Sequence, residues 1–299
     1  MWTVAYFERL HRQSPRPQIT SESPCMSEWN GERAEILGVP ISVITMADAL
    51  SVIERWITRR TPHYVCITGV HGVIECRSDE GLRRIHCEAG LVTPDGMPLV
   101  WMAHALGYSH MRRVYGPDLM RELSAIGALR GHRVFLYGGG EGVAQRLAAA
   151  LTQAHPGLQV VGVLTPPFRD LTPAEDSAIV AQINAAQPDI VWIGLSTPKQ
   201  EKWMAEHLLR IGAPVMVGVG AAFDFLSGIK KQAPLWMQRN GLEWLFRLTT
   251  EPRRLWRRYS AIIPTFLVLA SAQLACAWLK AGITGLRSVK WPTKKQRPL

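Results

Sequence analysis

Three short segments carry the residue types that a reaction would need. Gly194-Leu195-Ser196-Thr197-Pro198-Lys199-Gln200-Glu201-Lys202-Trp203 follows the apolar run Asp189-Ile190-Val191-Trp192-Ile193 and opens a helix-like segment. A buried strand ending in a glycine-containing turn at a helix start is where parallel α/β proteins hold anionic ligands. The Gln200 amide could hold a sugar hydroxyl or a phosphate oxygen there. Lys199 and Lys202 read equally well as solvated helix-face charges, and Lys199 and Glu201 as residues that fix the turn. Thr93-Pro94-Asp95-Gly96 sets a carboxylate at the end of a short strand. Asp95 can accept the proton of an attacking hydroxyl, or it can cap the helix that begins at Pro98. In Val219-Gly220-Ala221-Ala222-Phe223-Asp224-Phe225, Asp224 sits between two phenylalanines, where a carboxylate requires a partner.

Two further groups bear on phosphate. Gly138-Gly139-Gly140-Glu141-Gly142 follows the strand Val134 to Tyr137, so the backbone N–H groups of Gly138, Gly139 and Gly140 could face a diphosphate or simply form a tight turn. Leu158 to Thr165 lacks the acidic residue that a dinucleotide site wants at the end of its second strand, which counts against hydride transfer. Near the C-terminus, Pro252 at a helix start puts Arg254, Arg257 and Arg258 on one face by i, i+3, i+4 spacing. No D-x-D motif occurs to hold a metal on a nucleotide diphosphate, and guanidinium groups can offset a departing diphosphate instead. The same arginines can also be a solvated or lipid-facing basic surface. His71 could point into a cleft beside them, though a lone histidine is more often structural.

The P-K-Q-E, T-P-D-G and F-D-F segments, in that spacing across about Ile36 to Arg258, resemble the WecG/TagA/CpsF family of bacterial glycosyltransferases. The resemblance implies that Asp95 is the catalytic base, that Thr68 and Gln200 contact substrate, and that Asp224 lies at the nucleotide site. It also implies that arginines of a C-terminal appendage complete the active site, and by offset these fall on Arg247, Arg254 and Arg257. Thr68 stands in Thr68-Gly69-Val70-His71-Gly72, which lacks the asparagine common in the family. Glu243 reads as either a site residue or a structural ion-pair partner.

These residues need a scaffold, and the rest of the chain supplies one. Apolar runs at Tyr64 to Thr68, Leu91 to Thr93, Arg133 to Tyr137, Leu158 to Val163, Ile190 to Ile193 and Val215 to Val219 alternate with amphipathic segments. That rhythm predicts an α/β fold with a Rossmann-like, doubly wound parallel sheet and helices on both faces. Residues 1–33 are polar and Pro/Ser-rich and read as a mobile extension, residues 34–230 as the α/β core, and residues 231–299 as a helical basic and apolar appendage. A short strand is expected at Ile36 to Ile41, with a helix capped by Thr45 after it. A basic loop is expected to lead to Tyr115-Gly116-Pro117-Asp118-Leu119. No charge occurs between Arg258 and Lys280. A helix begun at Pro264 and run to Leu279 reaches roughly 24 Å, short of a hydrocarbon core of roughly 30 Å, so the segment is expected to lie in the membrane interface. The basic tail Lys290 to Arg297 would favour an anionic leaflet.

Composition narrows the partners less sharply. The 299 residues carry a formal net charge of +10, which suits phosphate-rich ligands, anionic lipid and nucleic acid alike. The charge gathers near the C-terminus and does not alternate with aromatics along a groove, which argues against nucleic acid. Five scattered cysteines without a C-x-x-C pair suit a reducing cytoplasm, and Met1 to Gln13 contains no apolar signal core. The expectation is an inverting, metal-independent and cofactor-free glycosyltransferase peripheral to the cytoplasmic face of the plasma membrane. The resemblance implies a UDP-sugar donor and a polyprenyl-diphosphate-linked saccharide acceptor, as used for surface polysaccharides. The apolar appendage would equally allow a homo-oligomer. The alternatives are an NAD(P)-dependent oxidoreductase and a non-catalytic basic module.

Overall fold

The computed structural model describes residues 31–283, with side chains as far as Lys280. Most of the expected N-terminal extension and the whole tail Lys290 to Arg297 lie outside the described residues. Six strands form one parallel sheet: β3 (His63–Thr68), β4 (Leu91–Pro94), β5 (Arg133–Gly138), β6 (Gln159–Leu164), β7 (Ile190–Gly194) and β8 (Val215–Gly218). Their order is β4-β3-β8-β7-β5-β6. Because side chains alternate along a strand, each strand feeds two cores. On β7, Val191 and Ile193 face one side, and Ile190 and Trp192 face the other. The second side is covered by α1 (Met46–Arg59), α5 (Gly116–Arg130) and α6 (Val143–Ala154). The first is covered by α2 (Val70–Ser78), α3 (Glu80–Glu88), α4 (Met97–Ala105), α7 (Pro173–Ala185) and α8 (Lys199–His207). The sheet is therefore doubly wound, in the Rossmann-like manner that the alternating pattern predicts.

Local chemistry explains most element boundaries. Thr45 caps α1 in a reciprocal box with Asp48, and Thr172 does the same for α7 with Glu175, each pair satisfying otherwise unpaired N–H groups. Two elements differ from the sequence reading. The single strand expected at Ile36 to Ile41 is a hairpin, β1 (Arg33–Ile36) with β2 (Val39–Ser42). Leu37 and Gly38 both take positive φ, 53° and 83°, which is what a two-residue turn between twisted strands demands. The basic loop does lead to Tyr115, but the segment it leads to opens a helix that the sequence reading did not place: Gly116 and Pro117 begin the 15-residue α5. Proline is favoured in that first turn, where no backbone donor is lost.

At the C-terminal ends of β5 and β7 the two strands pack without side chains between them. Gly138 adopts φ 121°, and the Gly139 N–H donates to the Gly194 carbonyl at 3.0 Å. The Phe223 ring lies so close to Gly194 that a Cβ there would stand 2.7 Å from it. Gly194→Ala is therefore expected to overpack this junction and cost about 1–3 kcal/mol, read as a fall in Tm of roughly 2–10 °C.

After β8 the chain runs through α9 (Ala222–Leu226), α10 (Leu235–Arg239), α11 (Glu243–Thr250) and α12 (Pro252–Ile283). The last corrects the sequence reading: α12 does not begin at Pro264 but passes through it, and its 32 residues reach roughly 48 Å. Pro264 has no N–H for the carbonyl of Ser260, and both residues are exposed, where water can meet the freed carbonyl. At that length α12 is not too short to span a hydrocarbon core of roughly 30 Å. Pro252–Lys280 is long and apolar enough to cross a membrane by length and composition. It is nevertheless tied to the body. Leu255, Phe266 and Ala270 are buried. Gln273 bridges to the hairpin, accepting from Leu37 N–H at 2.8 Å and donating to the Glu35 carbonyl at 2.7 Å.

Candidate active site

A cavity of about 870 Å³ opens over the C-terminal ends of β3, β4, β7 and β8, between α4 on one side and α10 to α12 on the other. Its floor holds Asp95, one residue past β4. Asp95 does not cap α4, whose N-cap is Gly96 without a side-chain bond. Its Oδ1 instead accepts from the Gly116 N–H at 3.1 Å, at the start of α5. Oδ2 lies on the side of Gly69, where a Cβ would stand 3.8 Å from it. Burial pushes the Asp95 carboxyl up from its ordinary value near 3.8 to about 6, with Glu243 adding to the rise while Arg113, the Gly116 N–H and Arg247 oppose it. A carboxyl fixed at one oxygen and titrating close to neutrality is suited to accept a proton.

Around it stands a cluster drawn from three parts of the chain. The Arg113 Nε–H donates to the Asp95 backbone carbonyl, and the Arg113 guanidinium pairs with Glu243 at 2.6 Å and lies 4.0 Å over the Tyr115 ring. The Tyr115 hydroxyl donates to the other Glu243 oxygen at 3.0 Å. Glu243 opens α11, so the appendage is anchored to the floor of the cavity by a half-buried, doubly bonded carboxylate.

Gln200 lies on the opposite wall, 2% exposed, with Ser196 and Thr197 beside it. Arg247 lines the cavity from α11, its buried Nε without a hydrogen-bond partner among the described residues and its guanidinium 5.7 Å from the Phe225 ring. Arg258 lines it from α12, close enough to His71 that, after burial, it is the next cause holding that imidazole below its ordinary value. His71 also meets Glu75 at 3.2 Å. Beyond these polar groups the wall is apolar, formed by Trp101 and Met102 of α4 and by Ile262, Phe266 and Leu274 of α12.

The other sequence-derived candidates stand outside this lining. Thr68 ends β3 and is buried, its hydroxyl 3.2 Å from His86 Nε2. Gly138 packs on Gly194 at the β5–β7 junction, Gly139 lies beside Val143 and Phe223, and Gly140 beside Val143. Asp224 has the partner its setting requires, Lys230 at 2.8 Å. Lys230 also reaches Glu251 at 3.5 Å, and Glu251 holds Arg254 at 2.7 Å. Arg257 is exposed. Lys202 pairs with Asp79 at 2.7 Å, joining α8 to α3.

The cavity, its carboxylate and its guanidiniums lie within residues 34–278, the span matched by the model of the Glycosyl transferase WecG/TagA/CpsF family. The chain belongs to this family. An N-acetylglucosaminyldiphosphoundecaprenol N-acetyl-beta-D-mannosaminyltransferase of Bacillus subtilis (strain 168) is 31% identical over 174 residues, covering 58% of this chain and 66% of that protein. A protein of the same name from Staphylococcus aureus (strain NCTC 8325 / PS 47) is 26% identical over 240 residues, covering 80% of this chain and 92% of its own length. Membership makes this chain a glycosyltransferase and sets aside the oxidoreductase and the non-catalytic module.

Two residues of the glycosyltransferase cavity escaped sequence reading. Arg113 looked like one charge in a basic loop, and Tyr115 like a flank of Gly116-Pro117. Their partner Glu243 is 130 and 128 residues away, so no local spacing could join them. The only signal was that Glu243 is one of two carboxylates, with Glu251, in an otherwise basic and apolar appendage.

Proposed function

We propose that this enzyme transfers an N-acetylhexosamine from a UDP-sugar, with inversion, to a saccharide carried on a polyprenyl diphosphate. The observation that carries the reading is Asp95, raised to about 6, facing Arg247 and Arg258 across one cavity whose far wall is apolar. The acceptor hydroxyl attacks the anomeric carbon from the face opposite the nucleotide while Asp95 Oδ2 takes its proton. The bond from that carbon to the diphosphate breaks, and UDP leaves with the electron pair. Arg247 and Arg258 offset the charge gathering on the diphosphate, a role that guanidiniums fill through paired hydrogen bonds, so no metal is required. The relatives are named for forming a β-linked product, which one inversion yields from an α-linked nucleotide sugar. Their names also carry an undecaprenol-linked acceptor, and the apolar wall along α4 and α12 suits a ligand with a charged head and a hydrocarbon chain.

The appendage provides the membrane contact at the cytoplasmic face, where nucleotide sugars are made. The side of α12 turned from the body exposes Trp256, Val268, Trp278 and Leu279, with Arg253, Arg254 and Arg257 at its start. A helix held to the body by Gln273 and Phe266 lies in the interface, because crossing the bilayer would require those contacts to break. Trp278→Ser with Leu279→Ser is expected to weaken binding to phosphatidylglycerol vesicles at least tenfold in a sedimentation assay, given about 1.5–3 kcal/mol per buried large apolar side chain.

The test of function is UDP release from a panel of UDP-N-acetylhexosamines, in EDTA, with and without a polyprenyl-diphosphate N-acetylglucosamine acceptor. Acceptor-dependent release and a β-configured product by NMR are expected. A wild-type protein that turns over no UDP-sugar under these conditions sinks the reading.

A further inference from the structure

Glu201 follows Gln200 in α8, is 1% exposed, and lies under the wall of the cavity formed by the β7–α8 turn. One of its oxygens, Oε1, accepts from two neighbours, the Gln200 Nε2–H at 3.0 Å and the Thr197 hydroxyl at 2.8 Å. Both neighbours line the cavity. The bond to Glu201 decides which way each of them faces, since a carboxyl oxygen accepting two bonds demands a donor from each. The Gln200 amide lies against the backbone at and just past the end of β8: a Cβ on Gly218 would stand 3.1 Å from its Nε2, and one on Gly220 would stand 3.4 Å from its Oε1. The nitrogen is thus turned inward to Glu201, and Oε1 is turned toward Gly220, itself part of the lining. Oε1 is buried and has no hydrogen-bond partner among the described residues. Thr197, its proton committed to Glu201, has only lone pairs left.

We infer that Glu201 is a positioning residue that holds Gln200 and Thr197 as hydrogen-bond acceptors, so that this wall reads an O–H or N–H group of the nucleotide sugar and turns its phosphates away. The inference rests on the proposed donor. It gives the cavity a polarity: acceptors on the α8 side, guanidiniums on the α11 and α12 side, and Asp95 between them. A phosphate oxygen against Oε1 would meet a second acceptor with no proton between them, whereas a hydroxyl or amide N–H supplies the missing donor. Two parts of the ligand carry such groups, the sugar and the nucleoside, and binding measurements separate them.

The experiment is calorimetric titration of UDP, a UDP-N-acetylhexosamine and inorganic diphosphate into the wild type and into Gln200→Leu, Glu201→Leu and Glu201→Gln, with donor KM and kcat measured alongside. The two leucine variants are expected to weaken nucleotide-sugar binding at least tenfold and to raise KM more than they lower kcat. Glu201→Gln keeps a carbonyl that can accept both bonds, so it is expected to stay within about threefold of the wild type. Diphosphate binding is expected to be unchanged in all three. Weakening with UDP alone assigns the wall to the nucleoside, and weakening only with the UDP-sugar assigns it to the sugar. Equal binding by wild type and both leucine variants overturns the inference, as does a loss of diphosphate binding in Gln200→Leu or a Glu201→Gln defect as large as that of Glu201→Leu. Should Glu201→Leu not fold, Thr197→Val with Gln200→Leu carries the same comparison. A wild type that binds neither UDP nor the UDP-sugar ends the functional reading first, and this inference with it.

Discussion

Asp95→Asn is expected to lose about 10²–10⁴ in kcat while melting at a higher temperature than the wild type at neutral pH. The amide keeps an oxygen for the Gly116 N–H, which now holds Asp95 Oδ1 at 3.1 Å, but it cannot take a proton from the acceptor. The gain in stability follows from the same environment. The folded protein raises the Asp95 carboxyl to about 6, so above that pH folding must bury a charge that the unfolded chain leaves in water. That cost amounts to between about 1 and 3 kcal/mol, the lower figures allowing for water in the cavity. As pH falls through 6 toward 4 the carboxyl is protonated in the folded state and then in both, and the difference between Asp and Asn closes. Thermal melts of both proteins at pH 7.5 and pH 4 check the sign. If Asp95 is the base, the same group is expected to set the acid limb of kcat/KM near pH 6. Glu243→Gln is expected to move that limb lower, since its charge is among the causes that raise Asp95.

The second large effect separates arginines that sequence alone treats alike. Arg247→Ala is expected to lower kcat/KM by about 10²–10³, the loss that follows removal of one donor to developing charge. Arg247→Lys recovers little of it, because a point charge cannot reproduce a planar fork. Arg258→Ala is expected to fall in the same direction. Arg254→Ala and Arg257→Ala are expected to stay within about threefold in detergent solution, since neither lines the cavity and Glu251 holds Arg254. Steady-state UDP release by the four alanine variants decides it: an Arg254→Ala defect equal to that of Arg247→Ala would contradict the assignment.

These arginines mark where sequence reading reaches its limit. Helical spacing puts Arg254, Arg257 and Arg258 on one face, but it cannot say which side of the helix meets the body, and of the three only Arg258 lines the cavity. The strands were legible because Val, Ile and Leu runs bounded by Gly, Pro and Asp have few other uses, and each of the six forms within a residue or two of its expected place. Asp95 and Gln200 were singled out by their place, one just past β4 and the other in the first turn of the helix after β7, together with the family resemblance, and the structure brings both to one cavity. What stayed hidden depends on distant pairing. Arg113 has meaning only beside Glu243, and the close packing of Gly138 on Gly194 and of Gly139 on Phe223 shows only in three dimensions. Pro264 misled because proline usually ends a helix. On an exposed face of a helix pinned at Leu255, Phe266 and Gln273, tertiary contacts outweigh that tendency.

Gln273 joins residues 236 and 238 positions apart in the chain, and this has a consequence for how the protein is made. A ribosome delivers β3, β4, β7 and β8, and with them the whole floor of the cavity, before any of α12 exists. Domains fold as synthesis proceeds, from the N-terminal side onward, so the α/β body can be complete while Arg247, Arg258 and the apolar wall are still unmade. The nascent protein then has the cavity's floor without its α11 and α12 walls. Its most lipid-loving stretch emerges only when a preformed hairpin is waiting to clasp it, which shortens the time that stretch spends uncovered in water.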